Sequence, residues 1–237
     1  MPPAYNMLHI VTYNIHFGKR LKDVGPWIER QLTADVICLQ EFPLAQLTAF
    51  YRSLPRSWGH RSAQSFIFRK KIYCIVTLFR RKTIRLVKEQ TLLLGAHPME
   101  KSLMKNPMEK SCLITTFRFG SKNVTIANAH LVFLAANRSR YRQIRIITDH
   151  LAGYHHPLII TGDFNIVSVR SKNKLISRME TFGFRTIAKR LSTYRLALWR
   201  YQLDYVFVKR CTLSRLSVER VRFSDHYPVS AGVVLPH

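Results

Sequence analysis

Residues 158–167 read LIITGDFNIV. Leu158 to Thr161 is a short β-branched run, apolar at successive positions, which is the pattern of a strand covered on both faces. It breaks at Gly162-Asp163-Phe164-Asn165, where glycine, aspartate and asparagine all suit a turn. Upstream, Tyr141, Ile144, Ile147 and Leu151 recur at helical spacing, with Gly153 as a stop. Downstream, Leu175, Ile176, Met179 and Phe182 repeat the stripe and Gly183 closes it. Helix, buried strand, polar turn, helix is the grammar of a layered α/β protein.

The same grammar extends to both ends of the chain. Strand-length apolar runs occur at Leu8–Tyr13, Val36–Leu39, Cys74–Phe79, Cys112–Phe117, Val124–Ala127, Tyr205–Val208 and Val229–Val234. Val24, Trp27, Ile28 and Leu32 predict a helix with Pro26 in its first turn, and Leu44, Leu47, Tyr51 and Leu54 predict another with Pro43 near its start. No Pro-, Gly- or Ser-rich linker interrupts this order, so residues 1–237 are expected to form a single domain. PMEKS occurs twice, at Pro98–Ser102 and Pro107–Ser111. Two copies are too few for a repeat architecture, and the segment predicts a surface loop or a pair of edge turns.

Composition narrows the class. The 237 residues are 47% hydrophobic, enough apolar surface to offset chain entropy, which excludes a disordered tail. No apolar run approaches the roughly 20 residues of a membrane-spanning helix. With 38 Lys+Arg against 13 Asp+Glu the net charge is +25, which favours polyanionic partners: nucleic acid first, anionic lipid headgroups second. Cys38, Cys74, Cys112 and Cys211 form no CxxC and have no histidine at finger spacing, so they read as reduced, mostly buried hydrophobes rather than zinc ligands. The opening MPPAYNMLHIVTYN lacks the charged and apolar regions of a cleaved leader, favouring an intracellular protein or one exported without such a mark. A monomer is expected.

The scarce acids show where chemistry is expected. Glu41, Asp163, Asp204 and Asp225 stand at or beside strand ends, in LQE, GDFN, LDYVF and SDHYP. Asn14 follows HIVTY, His130 follows NVTIANA, Asn165 lies in GDFN and His226 in SDH. In a layered α/β fold strand ends converge on one rim, where sites are built. Carboxylates, amides and imidazoles on one rim are the inventory for holding a hard divalent cation and activating water.

The ordered motifs TYNIH, LQE, NAHL, GDFN, LDYVFV and SDHYPV, spread over residues 8–234, resemble the endonuclease/exonuclease/phosphatase superfamily with its DNase I-like fold. The resemblance implies a four-layered α/β sandwich: two central mixed β-sheets face to face, with helices on both outer faces. It implies Glu41 as the principal Mg²⁺ ligand (Mn²⁺ as the alternative) with Asn14 close by and Asp225 as a further metal-proximal acid. Asp163 and Asn165 resemble the pair that orients water and holds a phosphate oxygen. His226 resembles the base or transition-state stabiliser, oriented by Asp204, and His130 the second catalytic histidine. The implied activity is metal-dependent phosphodiester hydrolysis, with a nuclease of low sequence specificity favoured over a phosphoinositide phosphatase or sphingomyelinase-like enzyme.

Subfamily departures support that order. Asn14-Ile15-His16 lacks the second acid of abasic-site endonucleases, and ITGDFNIV lacks the tryptophan and arginine that flank this motif in inositol polyphosphate 5-phosphatases. No acid lies between Glu41 and Glu89 to back His130, so a backbone carbonyl or Gln64 is its expected partner. Basic residues flank the motifs: Arg138, Arg140, Arg142 and Arg145 after His130, and Arg170, Lys172 and Lys174 after GDFN. Of these, Arg138, Arg142, Arg170 and Lys172 are expected to bind the substrate's phosphates. Phe17, Trp58 and Trp199 read as core packing before base stacking.

Overall fold

The computed structural model describes residues 7–103, 105, 107–187, 191–196 and 199–236. The first six residues and the Trp199 side chain, on which two of the expectations above fall, lie outside the described residues. One sheet takes β1 (Met7–Asn14), β2 (Val36–Pro43), β3 (Trp58–Phe68), β4 (Lys71–Arg80), β12 (Thr212–Val218) and β13 (Val229–Val234) in the order β12-β13-β1-β2-β4-β3. The other takes β5 (Ile84–Leu93), β6 (Ser111–Phe119), β7 (Lys122–His130), β8 (Leu158–Asp163) and β11 (Asp204–Lys209) in the order β11-β8-β7-β6-β5. Between β8 and β11 stands a small hairpin, β9 (Tyr194–Leu196) and β10 (Trp199–Tyr201).

Each sheet is antiparallel except for one parallel pair, β1–β2 in the first and β7–β8 in the second. Parallel neighbours need a crossover, and here helices supply both. Helix α1 (Leu21–Arg30) joins β1 to β2, and α4 (Asn137–Leu151) joins β7 to β8. The remaining helices are α2 (Leu44–Ser53), α3 (Pro98–Leu103) and α5 (Val169–Thr181).

Alternation along the strands builds the layers. Ile10, Val36, Ile126, Ile159 and Val206 share one core between the sheets. Their chain neighbours point the other way: Val11 and Ile37 join Trp27, Ile28 and Phe50 from α1 and α2. Ala127, Ile160 and Phe207 join Ile144, Ile147, Leu175 and Met179 from α4 and α5. The result is the expected four-layered sandwich, helix–sheet–sheet–helix.

Three local expectations are revised. α1 starts at Leu21, so Pro26 is interior rather than in the first turn, and the burial of Val24, Trp27 and Ile28 outweighs its missing backbone donor. Segment 95–111 is not wholly superficial. Glu100, from the first PMEKS and within α3, and Lys110, from the second, are each about 2% exposed and face one another at 3.8 Å. The duplicated pentapeptide thus supplies both halves of a buried ion pair. Arg140 turns inward, donating to the Val132 and Phe133 carbonyls and so fastening the loop after β7.

Candidate active site

Strand register sets the site. His130 ends β7 opposite Asp163, which ends β8, and Asp204 opens antiparallel β11 opposite Asp163 on its other side. Three polar side chains therefore stand in a row across one end of the second sheet. In the first sheet Asn14 ends β1 beside Gln40, with Glu41 one residue further. Beneath this rim a buried bridge joins the sheets: Gln40 donates to Asn128 Oδ1 at 2.8 Å, and Asn128 donates to the Val76 carbonyl at 3.0 Å.

Local backbone geometry aims the groups. The β2–β4 pairing slips between Leu39 and Phe42, and Glu41 there takes φ of 60°. Such a bulge redirects a side chain that regular pleating would send elsewhere, at a cost of about 1–3 kcal/mol. Asn165 also has positive φ (52°), and its N–H donates to Asp163 Oδ1 at 2.9 Å, a short turn that fixes both. Gly162 has φ of 132°, and a Cβ there would lie 1.9 Å from the Ala129 carbonyl oxygen. Only glycine lets β7 and β8 approach so closely where His130 and Asp163 emerge.

The side chains converge on a cavity of about 390 Å³ lined by Glu41, Lys110, His130, Asp163, Asn165 and His226, among others. Asn14 Nδ2 donates to Glu41 Oε1 at 3.1 Å and to Asp163 Oδ2 at 3.0 Å, while its Oδ1 accepts from His16 N–H. Asn14 thus spans the two carboxylates through its nitrogen. His226 Nδ1 contacts Asp204 Oδ2 at 2.8 Å, and its Nε2 lies 3.6 Å from Asp163 Oδ2. His130 Nε2 lies 3.8 Å from Glu41 and 3.9 Å from Asp163. Its Nδ1 has no partner among the described residues, so neither Gln64 nor a carbonyl orients it; its ring meets the Phe66 ring edge-on at 5.5 Å.

Burial governs the charges. Desolvation pushes the Asp163 carboxyl well above the usual range, against the pull of His226 and the donors Asn14 and Asn165. For His226 burial alone would lower the pKa, but Asp204 and Asp163 overcome it and hold the imidazolium well above neutrality. Burial, with Lys110 and His226 adding repulsion, lowers His130 well below 6.5, so its ring is neutral, with Nε2 on the side of the carboxylates. Asp225 is held below the usual carboxylate range: burial would raise it, but a hydrogen bond from His16 at 3.1 Å and the nearby His226 charge outweigh that.

The donor set fits a hard divalent cation. Glu41 and Asp163 share one amide donor, and Asp163 is buried with its charge only partly compensated. No three His, Cys, Asp or Glu side chains form a closed cage among the described residues. Mg²⁺ commonly binds through one or two carboxylates while keeping several waters, which matches this supply.

Site members that escaped sequence reading include Lys110 and Tyr194, whose ring meets that of His226 edge-on at 4.8 Å. Lys110 stood in a segment read as surface, yet its Nζ lies 4.0 Å from the Phe66 ring centre and its side chain lines the cavity. Phe17, read as core, is only partly buried, lines the cavity and stacks on Phe68. The anticipated phosphate binders are elsewhere. Arg138, Arg142 and Arg170 line a separate groove between α4 and α5, and Lys172 donates to Gln202.

A sequence profile of the Endonuclease/Exonuclease/phosphatase family matches residues 11–226. Among solved structures, an endonuclease/exonuclease/phosphatase from Bacteroides vulgatus superposes with TM-score 0.78 at 18% identity, covering 97% of this chain and 99% of that one. TDP2 from D. rerio complexed with single-strand DNA product gives 0.73 at 15% identity, covering 96% and 98%. A mannosyl-6-phosphatase from Bacteroides thetaiotaomicron gives 0.70 at 18% identity, covering 96% and 100%.

Proposed function

We propose, from the premise that the chain belongs to the endonuclease/exonuclease/phosphatase family and is a phosphoesterase, that it is a divalent-metal-dependent nuclease of low sequence specificity. The observation that carries this reading is the line Asp204–His226–Asp163, at 2.8 and 3.6 Å, in one cavity with Glu41 and Lys110. Phosphodiester hydrolysis needs a base for water and positive charge where negative charge grows on phosphoryl oxygens. Asp163 suits the first role, because a carboxylate whose pKa is raised toward neutrality accepts a proton more readily. His226, kept protonated by Asp204, suits the second, donating from Nε2 to a phosphoryl oxygen. Neutral His130 adds an N–H donor without competing for the base's proton, and Lys110 supplies a further fixed charge. Asn165 positions Asp163 through its backbone N–H, with its own Nδ2 tied to the Leu131 carbonyl. Glu41, with Asn14 beside it, would hold Mg²⁺ or Mn²⁺, which when bound polarises the phosphate and offsets its charge. The net charge of +25 and a DNA-bound structural relative favour nucleic acid as substrate.

A second reading, a phosphohydrolase at an anionic lipid surface, is favoured by the exposed apolar side chains Phe133 and Val167 on the cavity rim, with Val169 nearby in the chain. Incubation with plasmid, single-stranded oligonucleotide and anionic vesicles, each with Mg²⁺ or EDTA, separates the two. Metal-dependent strand cleavage, reduced at least about 100-fold in Asp163→Asn, is expected. Phosphate release from lipid alone would overturn the nuclease reading.

A further inference from the structure

A cavity larger than the catalytic one lies apart from it. It is a groove of about 1050 Å³ between α4 and α5, lined by Arg138, Arg142 and Arg145 from one helix and Arg170, Lys174 and Arg178 from the other. These positions run i, i+4, i+7 and i, i+4, i+8, so each helix turns one cationic ridge toward the groove. Arg140 and Lys172, two places out of step, face elsewhere, toward the loop after β7 and toward Gln202. Among the described residues no acidic side chain lines the groove; Asp149, one turn beyond it, pairs with Arg145 at 3.3 Å and leaves the other five cations to face it. Its floor is Tyr141, whose hydroxyl donates to the Ser171 carbonyl and whose ring lies beneath Lys174 and Arg178, 5.7 and 4.9 Å from their charged heads. At its upper end, N-cap Ala136 gives α4 no side-chain acceptor, so that helix's first N–H groups add positive potential.

Position gives the groove its meaning. α4 follows the loop leaving His130, and α5 follows the one leaving Asp163 and Asn165. Those two loops carry Phe133 and Val167 on the catalytic rim, and the helix starts are tied by Asn137 Nδ2 donating to Ser171 Oγ at 2.7 Å.

We infer that the α4–α5 groove is a backbone-binding track for single-stranded nucleic acid leading to the catalytic cavity. Asn137 and Tyr141 both reach Ser171 from across the groove, so its two cationic ridges flank a floor bridged by side chains. A ridge from i to i+8 spans roughly 12 Å at a rise of about 1.5 Å per residue, enough for a few consecutive phosphates of one strand. Tyr141 is covered by its own cations, so phosphates face inward and bases outward, and binding is blind to sequence. A lipid surface fits less well, because the groove is concave and no exposed apolar side chain lines it.

The inference rests on the nuclease reading, and its test is kept separate from turnover. Binding of a fluorescein-labelled 12-nucleotide oligo-dT is measured by anisotropy in EDTA over a range of salt concentrations. Hydrolysis of a small chromogenic phosphodiester by the wild-type protein reports the chemistry independently. Combining Arg142→Ala, Arg170→Ala and Lys174→Ala removes three phosphate contacts. The salt slope should become shallower by about 2, and affinity in about 0.1 M salt should fall about 100-fold. The same charge removed at Lys82, Arg85 and Lys88, just before and within edge strand β5, should cost far less. Equal losses from the two triples, or loss of binding to phosphatidylserine vesicles with oligonucleotide affinity retained, would overturn the track. Should the triple fail to fold, Lys174→Ala alone should reduce the slope by about 0.7, and an unchanged slope counts against the track.

Discussion

Asp204→Asn is the substitution from which most can be learned. Asp204 is fully buried, its Oδ2 lies 2.8 Å from His226 Nδ1, and the ring is itself 4% exposed. Asparagine keeps the shape and removes the charge. A charge-assisted hydrogen bond is worth about 1.5–3 kcal/mol, and about 1.4 kcal/mol corresponds to one pKa unit. The His226 pKa should therefore fall by about 1–2 units, leaving Asp163 as its main support. If the imidazolium stabilises the transition state, the same energy removed from the barrier's compensation lowers kcat by about 10- to 100-fold at neutral pH. The loss should deepen as pH rises, because the variant's imidazolium deprotonates earlier.

Stability carries the same signature. The folded-state pKa of His226 is raised above its unfolded value of about 6.5. Its contribution is therefore complete below about pH 6.5 and is lost as pH rises through the folded value. Wild type should exceed Asp204→Asn by about 2–4 kcal/mol in urea unfolding at pH 6, with the gap narrowing toward pH 10. Imidazole NMR of His226, a pH–rate profile and denaturation at two pH values test one chain of reasoning. An Asn variant whose His226 titrates as in wild type, or whose kcat at pH 8 stays within about twofold, refutes it.

Other outcomes follow from particular contacts. Gly162→Ala sets a methyl group against the Ala129 carbonyl at a φ few side chains adopt, so a loss of about 3 kcal/mol or more, read by thermal unfolding, is expected. Asn128→Leu cuts the buried bridge between the sheets and leaves Gln40 Nε2 with only Thr12 and the Cys38 carbonyl, costing about 1–3 kcal/mol in urea unfolding; a neutral result would mean the bridge does not join the sheets energetically. His130 has a depressed pKa in the folded state, so its contribution is present above the unfolded value of about 6.5 and lost as pH falls. Between pH 7 and pH 5, His130→Gln should therefore lose about 1–2 kcal/mol less stability than wild type does, measured by denaturation in EDTA.

What could be read from sequence, and what could not, divides along physical lines. Strands buried on both faces, such as Leu158–Thr161 and Tyr205–Val208, show unbroken apolar runs and are visible at once. β3, β5 and β12 are sheet edges with no such run, as are the short β9 and β10; β11 is an edge too, but Arg185 bridges its outer side and its run stays apolar. Edge strands interleave charges, as in IRLVKEQTLL, because one side faces water and must resist pairing with another chain. The acids at strand ends were legible because the chain has few acids and a rim gathers them. Lys110 was not, since nothing local marks a lysine that Glu100, ten residues earlier, will hold in the interior.

The two parallel pairs explain why the site lies where it does. β1–α1–β2 delivers Asn14 and Glu41, and β7–α4–β8 delivers His130 and Asp163, each at the carboxyl end of its pair. Neither unit holds a complete site: one brings a carboxylate and an amide, the other a carboxylate and an imidazole. Packing the sheets face to face lets Asn14 reach Asp163, 149 residues away, and Gln40 reach Asn128 just below. The core between the sheets therefore sets catalytic distances as well as stability. A cavity-forming substitution at Ile10 or Ile159, remote from the rim, acts on activity through sheet spacing, whereas one at Trp27 or Leu175, on the outer helical faces, acts chiefly on stability.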